Sequence, residues 1–402
     1  MNFFIAILGL GLLVFVHEAG PFFTARVVGM SPRKFYIGFP PALLRVRRKG
    51  IEYGIGAIPL GGYVKLPGMH RPAPSDVDAH FGPALAEAPQ LVGPLEHVKR
   101  QLAEDDLQGA RAGIPKLEEA IEPAELSPQA QRAARRGLSE LQDGLGEDAY
   151  WRQRTWKRVA VIFAGPGTNV LFAIVLFAAL FVVSTGGHRL GFSLKANAPV
   201  VDQVRADRPA GKIHLQSGDR ILEINGQRVK GVADVPRLIE ASDGRPVTLL
   251  VERGGKPRTL GPVRPHKEPR LSVPRATWES LRLTGFVTKE IGASLLRLVH
   301  GEGRKDVSSP VGIVEGSSEA LDRGAATYLW VLGLLSLSLA LLNLLPLLPL
   351  DGGHIAFSLV EGIRGKAMGR EVYERVSAVG IALVLLLFFI GLSNDVGRLG
   401  GG

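Results

Sequence analysis

Four blocks of this 402-residue chain carry no fixed charge, and they constrain its fold more than any other feature. Residues 1–16 form the first. No Asp, Glu, Lys or Arg occurs between Arg158 and Arg189, between Arg323 and Asp351, or between Arg375 and Asp395. A membrane-crossing helix needs roughly 20 apolar residues at about 1.5 Å each. The last three blocks meet that requirement directly, and the first does if its helix continues to Ala25. A cleaved signal peptide is a poor reading of the first block, because Met1-Asn2-Phe3-Phe4 has no basic residue. The expectation is a four-span α-helical membrane protein with spans over 1–25, 157–185, 324–352 and 376–394.

Basic residues set the orientation. Arg26, Arg33, Lys34, Arg45, Arg47, Arg48 and Lys49 follow the first span, and Arg152, Arg154, Lys157 and Arg158 lead into the second. The loop between them, and the loop 353–375, are then cytoplasmic, with both termini outside. The net charge of +10 comes largely from such flanking clusters, which argues against nucleic-acid binding. With no cysteine in the chain, disulfides, thiolate metal sites and a cysteine nucleophile are excluded.

The soluble pieces differ in pattern. Ile51, Tyr53 and Ile55 alternate, and Gly61-Gly62 offers a turn before Tyr63-Val64-Lys65, which predicts a membrane-associated β-hairpin within 26–70. In 71–150, Leu95, Val98 and Leu102 share a helical face, as do Ile114, Leu117 and Ile121, and Leu138, Leu141 and Leu145. These predict a small helical insertion. Residues 190–266 read as a β-rich α+β module, with a strand at Arg220–Ile224, an Asn225-Gly226 turn, a helix from Val235 to Ala241 and a strand from Val247 to Val251. Its Gly-Asp-x-Ile-x-x-Ile-Asn-Gly run resembles a PDZ domain, with Leu190-Gly191-Phe192 as the candidate loop for a peptide terminus. Residues 267–323 read as an extracytoplasmic linker.

Chemistry enters at His17-Glu18-Ala19-Gly20-Pro21. In His-Glu-x-x-His, two imidazoles on one helical face hold zinc, and the glutamate moves a proton from metal-bound water. Here the second ligand position is Pro21, which has no side-chain donor and whose ring opposes the His17 carbonyl. Alone, His17 and Glu18 read equally well as stray polar residues at a membrane boundary. The third block ends in Asn343-Leu344-Leu345-Pro346-Leu347-Leu348-Pro349-Leu350-Asp351-Gly352-Gly353, where a carboxylate beside an apolar span calls for a partner, a cation being the natural one. His354, three residues on, is a candidate substitute ligand if a helix starts there.

Taken in order, His17-Glu18, Ile58 to Lys65, Ala164-Gly165-Pro166 with Asn169, the PDZ-like module, Pro310-Val311-Gly312-Ile313 and Asn343 to Gly353 resemble the site-2 protease family of intramembrane zinc metalloproteases, in its bacterial PDZ-containing group. The resemblance implies zinc held by His17 and Asp351, with Glu18 as general base. It implies that Asn343 helps bind the substrate or steady the tetrahedral intermediate. It further implies that Gly61, Gly62, Tyr63, Val64 and Lys65 pair with an unwound substrate as an added strand. The substrates would be single-span membrane proteins cut in the bacterial inner membrane, and the PDZ-like module would screen peptide termini outside the cytoplasm. A non-catalytic relative that binds peptides without cutting them is the alternative left by Pro21.

Overall fold

The computed structural model describes residues 2–184, 187–195, 198–304, 307–368 and 370–399. Met1 and Thr185, at the ends of the first two expected spans, lie outside the described residues.

The chain opens with α1 (Asn2–Val27), one helix that continues through Pro21. A proline at this position removes the N–H that would bond the His17 carbonyl. One residue earlier, the Val16 carbonyl accepts a hydrogen bond from the Thr168 hydroxyl at 2.9 Å. Gly20 permits the close crossing, since a Cβ there would collide with the Ala164 carbonyl.

Strands β1 (Lys34–Arg48) and β2 (Ile51–Lys65) follow. The reversal sits at Lys49-Gly50, both with positive φ (48° and 79°), the backbone of a tight hairpin turn. Gly61 and Gly62, expected to form the turn, instead lie inside β2, with neither in the left-handed region. Lys34 to Ile37 each have two partners, Glu52 to Ile55 on one side and Lys65 to Gly62 on the other. The hairpin is thus bent back on itself, which places Gly62 to Lys65 at an edge. Phe35 fixes this sheet to α1 by edge-on contacts with Phe15 and Phe22, at 6.0 and 5.1 Å between ring centres.

The insertion is helical as its periodicity implies: α2 (Pro74–Glu87), α3 (Val92–Ala103), α4 (Leu107–Ile121) and α5 (Pro128–Leu145). All nine leucine, isoleucine and valine positions read from the spacing fall in one buried cluster with Phe81 and Leu91. Side-chain caps start two of its helices, Asp106 accepting from Gly109 N–H and Ser127 from Ala130 N–H.

Then come α6 (Thr155–Ser184) and the soluble module: β3 (Gly187–Arg189), β4 (Phe192–Leu194), β5 (Val201–Val204), α7 (Pro209–Lys212), β6 (Arg220–Ile224), β7 (Gln227–Arg228), α8 (Asp234–Ala241), β8 (Val247–Arg253), β9 (Lys256–Val263) and β10 (His266–Glu268). Its main sheet has the order β7-β6-β8-β9, with β4-β5 and β10-β3 as separate pairs. Leu190, Val201, Ile221, Ile224, Val247, Leu249 and Val251 fill the core. Asp219, 1% exposed, accepts both arms of Arg253 at 2.7 and 2.6 Å and the Gln216 N–H at 2.9 Å.

The region expected to be a linker is instead two helices, α9 (Val273–Val299) and α10 (Pro310–Asp322). Leu283, Val287 and Ile291 of α9, one helical face, pack on Ala173, Phe177 and Leu180 of α6. The chain ends with α11 (Ala325–Asn343), α12 (Asp351–Arg364) and α13 (Arg370–Leu399). Asp395 of α13 accepts from Ser309 N–H and Oγ at 2.8 and 2.6 Å, at the start of α10. That places a carboxylate where the helix has unpaired N–H groups and a positive dipole end.

Helices α1, α6, α11 and α13 are long and apolar enough to cross a membrane. Between α6 and α12 lies a buried ion pair: Arg158 donates to Glu361 at 2.6 Å and to the Ser358 carbonyl at 3.1 Å, while Met368 N–H donates to the other Glu361 oxygen at 2.7 Å.

Candidate active site

Three helices meet at His17. It projects from α1 toward α6 and the start of α12, so its position depends on how closely those helices approach. Gly165 of α6 supplies the space: a Cβ there would stand 2.9 Å from the imidazole Nε2 and Cε1. One helical turn on, fully buried Asn169 places its amide nitrogen 3.4 Å from His17 Nδ1. The Ser336 hydroxyl of α11 holds the Asn169 carbonyl at 2.9 Å.

Across the ring, His17 Nε2 lies 3.0 Å from Asp351 Oδ2, an oxygen with no other hydrogen-bond partner. Asp351 is the first residue of α12, where a helix favours negative charge. The irregular stretch from Leu344 to Leu350 separates α11 from α12 and delivers the carboxylate. Gly352 and Gly353 let the first turn of α12 fit under that stretch, since a Cβ at either would meet the carbonyls or amides of Leu344 to Leu348. Two ligands of a tetrahedral zinc with bonds of about 2.0–2.1 Å are roughly 3.3 Å apart. The 3.0 Å separation is close to that spacing.

Glu18 points to the sheet. The Val64 N–H faces its carboxylate, and a Cβ on Gly62 would stand 2.8 Å from its Cγ. The strand edge therefore runs beside the carboxylate next to the histidine. Tyr63 stacks on Tyr36 at 5.2 Å between ring centres, and Tyr36 donates to Glu52 at 2.7 Å. That hydrogen bond, aided by burial, pushes the Tyr36 phenol up to about 12 and fixes the sheet next to Gly62.

The site falls one donor short of a catalytic zinc centre. Among the described residues, no group of three or more His, Asp or Glu side chains is placed to hold a metal ion. A catalytic zinc takes three protein ligands and a water, and Pro21, where the motif's second imidazole would stand, offers none. His354 shares α12 with Asp351, three residues further along the same helix. Asn343 closes α11 before the irregular stretch. Leu190, Gly191 and Phe192 sit in the soluble module, where they line a cavity of about 550 Å³ with Val235 and Ile239 of α8.

Two contributors carried no assigned chemistry in the sequence reading, Gly165 and Asn169. The signal was there: Gly165 and Asn169 are four residues apart, on one helical face. The unpartnered Asn169 Oδ1 fits a further role. With its amide turned over, that oxygen would accept from His17 Nδ1–H, leaving Nε2 as the donor atom for a metal.

The profile of peptidase family M50 matches residues 5–387. The zinc metalloprotease RasP of Geobacillus kaustophilus is 27% identical, over 96% of this chain and 95% of its own length. The regulator of sigma-W protease RasP of Bacillus subtilis is 26% identical, over 97% of this chain and 96% of its own. With a match across nearly the whole sequence and a histidine facing an aspartate between the helices it spans, this chain belongs to peptidase family M50, the site-2 protease family of membrane metalloproteases.

Proposed function

We propose that this chain is an intramembrane protease by fold whose substrate groove is retained and whose metal centre lacks one imidazole, so that it binds single-span membrane proteins and cuts them poorly or not at all. The observation that carries this reading is His17 Nε2 facing Asp351 Oδ2 at 3.0 Å, beside Glu18 and beneath Asn169, with Pro21 in the same helix where a third donor belongs. Zinc would polarise a substrate carbonyl and activate water in such a centre. The chain as it stands supplies two ligands, His17 and Asp351, one short of such a centre.

The remaining machinery has clear tasks. A peptide bond inside a helix is shielded by its own hydrogen bonds, so a substrate must unwind. The edge from Gly61 to Lys65 would hold the unwound segment as an added strand, with Asn343 at the mouth of the site. Glu18 would serve as base toward water at that strand. The module from β3 to β10 would be PDZ-like, its groove between β4 and α8 taking a chain terminus at Leu190, Gly191 and Phe192. The protein would sit in the bacterial inner membrane, crossed by α1, α6, α11 and α13, which are long and apolar enough to span it. The sheet and the insertion would face the cytoplasm, and the soluble module the other side. Pro21 favours the binding-only form of this function, a receptor for peptides built on a protease scaffold.

Elemental analysis of the protein purified in detergent tests the reading. The native chain should carry little zinc and Pro21→His about one per chain, lost again when Asp351→Ala is added. Stoichiometric zinc in the native chain would show that a different ligand set completes the centre. No zinc in Pro21→His would show that the scaffold has drifted beyond repair.

A further inference from the structure

The helical insertion is built into the groove rather than hung beside it. Asp143 of α5, with a side chain 8% exposed, binds Arg33 at 2.7 Å and Lys65 at 3.2 Å, neighbours at one end of the strand pairing that backs the Gly62–Lys65 edge. Glu140, one turn earlier, also holds Lys65, at 3.1 Å. Between this edge, α5 and the start of α13 lies a cavity of about 560 Å³, with Val64, Glu140, Leu141, Tyr373 and Ser377 in its walls. Sites of this size take small ligands or a few side chains. Val64 belongs to both places: its side of the strand lines the cavity, and its N–H faces Glu18. A chain lying along the edge would therefore leave the site through the cavity.

The charge of the walls selects what fits. Asp76, Glu140 and Glu374 line the cavity with Lys65, Arg136 and the imidazoles of His70 and His80, so three carboxylates face two fixed cations, and Lys65 is held by Glu140 and, outside the lining, by Asp143. Membrane proteins carry Lys and Arg where a span enters the cytoplasm. We infer that the cavity between the insertion and α13 receives the basic, extended flank of a substrate span, so that the insertion is a specificity element of the groove. This rests on the groove reading above and needs no metal.

The test is binding of two synthetic single-span peptides, one with a lysine-rich and one with a glutamate-rich flank, to the full chain in detergent, read by fluorescence anisotropy. The lysine-flanked peptide should bind about tenfold tighter, the equivalent of about 1.4 kcal/mol. Glu140→Lys should remove that preference. Because that change also disturbs Lys65, Ser377→Trp provides a second variant, which fills the cavity from α13 and should weaken the lysine-flanked peptide without touching the strand. Equal affinities for the two peptides, or binding untouched by both variants, would overturn the inference and leave the groove standing. Binding of neither peptide would overturn both.

Discussion

The ion pair between Arg158 and Glu361 allows a quantitative test of how α12, and with it Asp351, is held against α6. The two side chains are 5% and 7% exposed, and each has a further backbone partner, the Ser358 carbonyl for Arg158 and the Met368 N–H for Glu361. Tyr150 adds a hydroxyl contact to Ser358 Oγ at 3.1 Å. Removing one member of such a pair strands a desolvated charge and costs about 3–5 kcal/mol, whereas removing both charges often costs little. Arg158→Met should thus be strongly destabilising. Adding Glu361→Gln should recover about 2 kcal/mol or more, because the amide still accepts from Met368 N–H and no unpaired charge is left. Thermal unfolding in detergent, followed by tryptophan fluorescence, ranks the variants, with the single mutant melting below the double. In the Pro21→His background the same ranking should appear in zinc retention, since α12 carries Asp351. Additive losses, with the double mutant melting below either single one, would refute the argument that the pair is a desolvated electrostatic lock.

Two further outcomes follow from packing and charge. Gly165→Val should displace the His17 ring, which a Cβ alone would approach to 2.9 Å. Combined with Pro21→His it should abolish zinc recovery while the chain still folds, a result read by elemental analysis beside size-exclusion chromatography. In the soluble module, burial raises the Asp219 carboxyl, but Arg253 and the Gln216 N–H outweigh burial and hold it below its usual range. Its contribution to stability is therefore complete above the unfolded value of about 3.9 and lost as pH falls through the lower folded value. Limited proteolysis should show the native module opening on acidification below about pH 4. Asp219→Asn should already be weakened by about 1.5–3 kcal/mol at neutral pH, with little further acid dependence from this position.

The spans and the insertion were legible because burial imposes a simple pattern on them. Uncharged runs mark α1, α6, α11 and α13, and Leu95, Val98 and Leu102 could only share a face in a helix. The helix α9 escaped because Arg275, Glu279, Arg282, Lys289, Glu290 and Arg297 interrupt every apolar window. Its stripe of Leu283, Val287 and Ile291 becomes meaningful only when α6 and α11 are there to receive it. The turn was misplaced for a related reason. Gly61-Gly62 has the composition of a turn, but those glycines serve close approach, one to the Phe39 ring and one to Glu18. Lys49-Gly50, with less obvious chemistry, makes the reversal. At the site itself, His17, Glu18 and Asp351 stood out as polar residues at the edges of apolar runs. Asn169 lay in plain view in the second run, and its part became evident only with the helices side by side.

The joining of α1 to the distant end of the chain has a consequence for synthesis. Tyr328 of α11 donates to the Ile5 carbonyl at 3.1 Å across 323 residues of sequence, and Asp351 arrives later still to face His17. At about 5–20 residues per second, α1 waits tens of seconds in the membrane before its partners emerge from the ribosome. During that interval the His17–Asp351 pairing does not exist, so a nascent chain or a fragment cut short before α12 has only half of the site. In a lineage whose centre did hold metal, that ordering would keep half-made enzyme from cutting its neighbours.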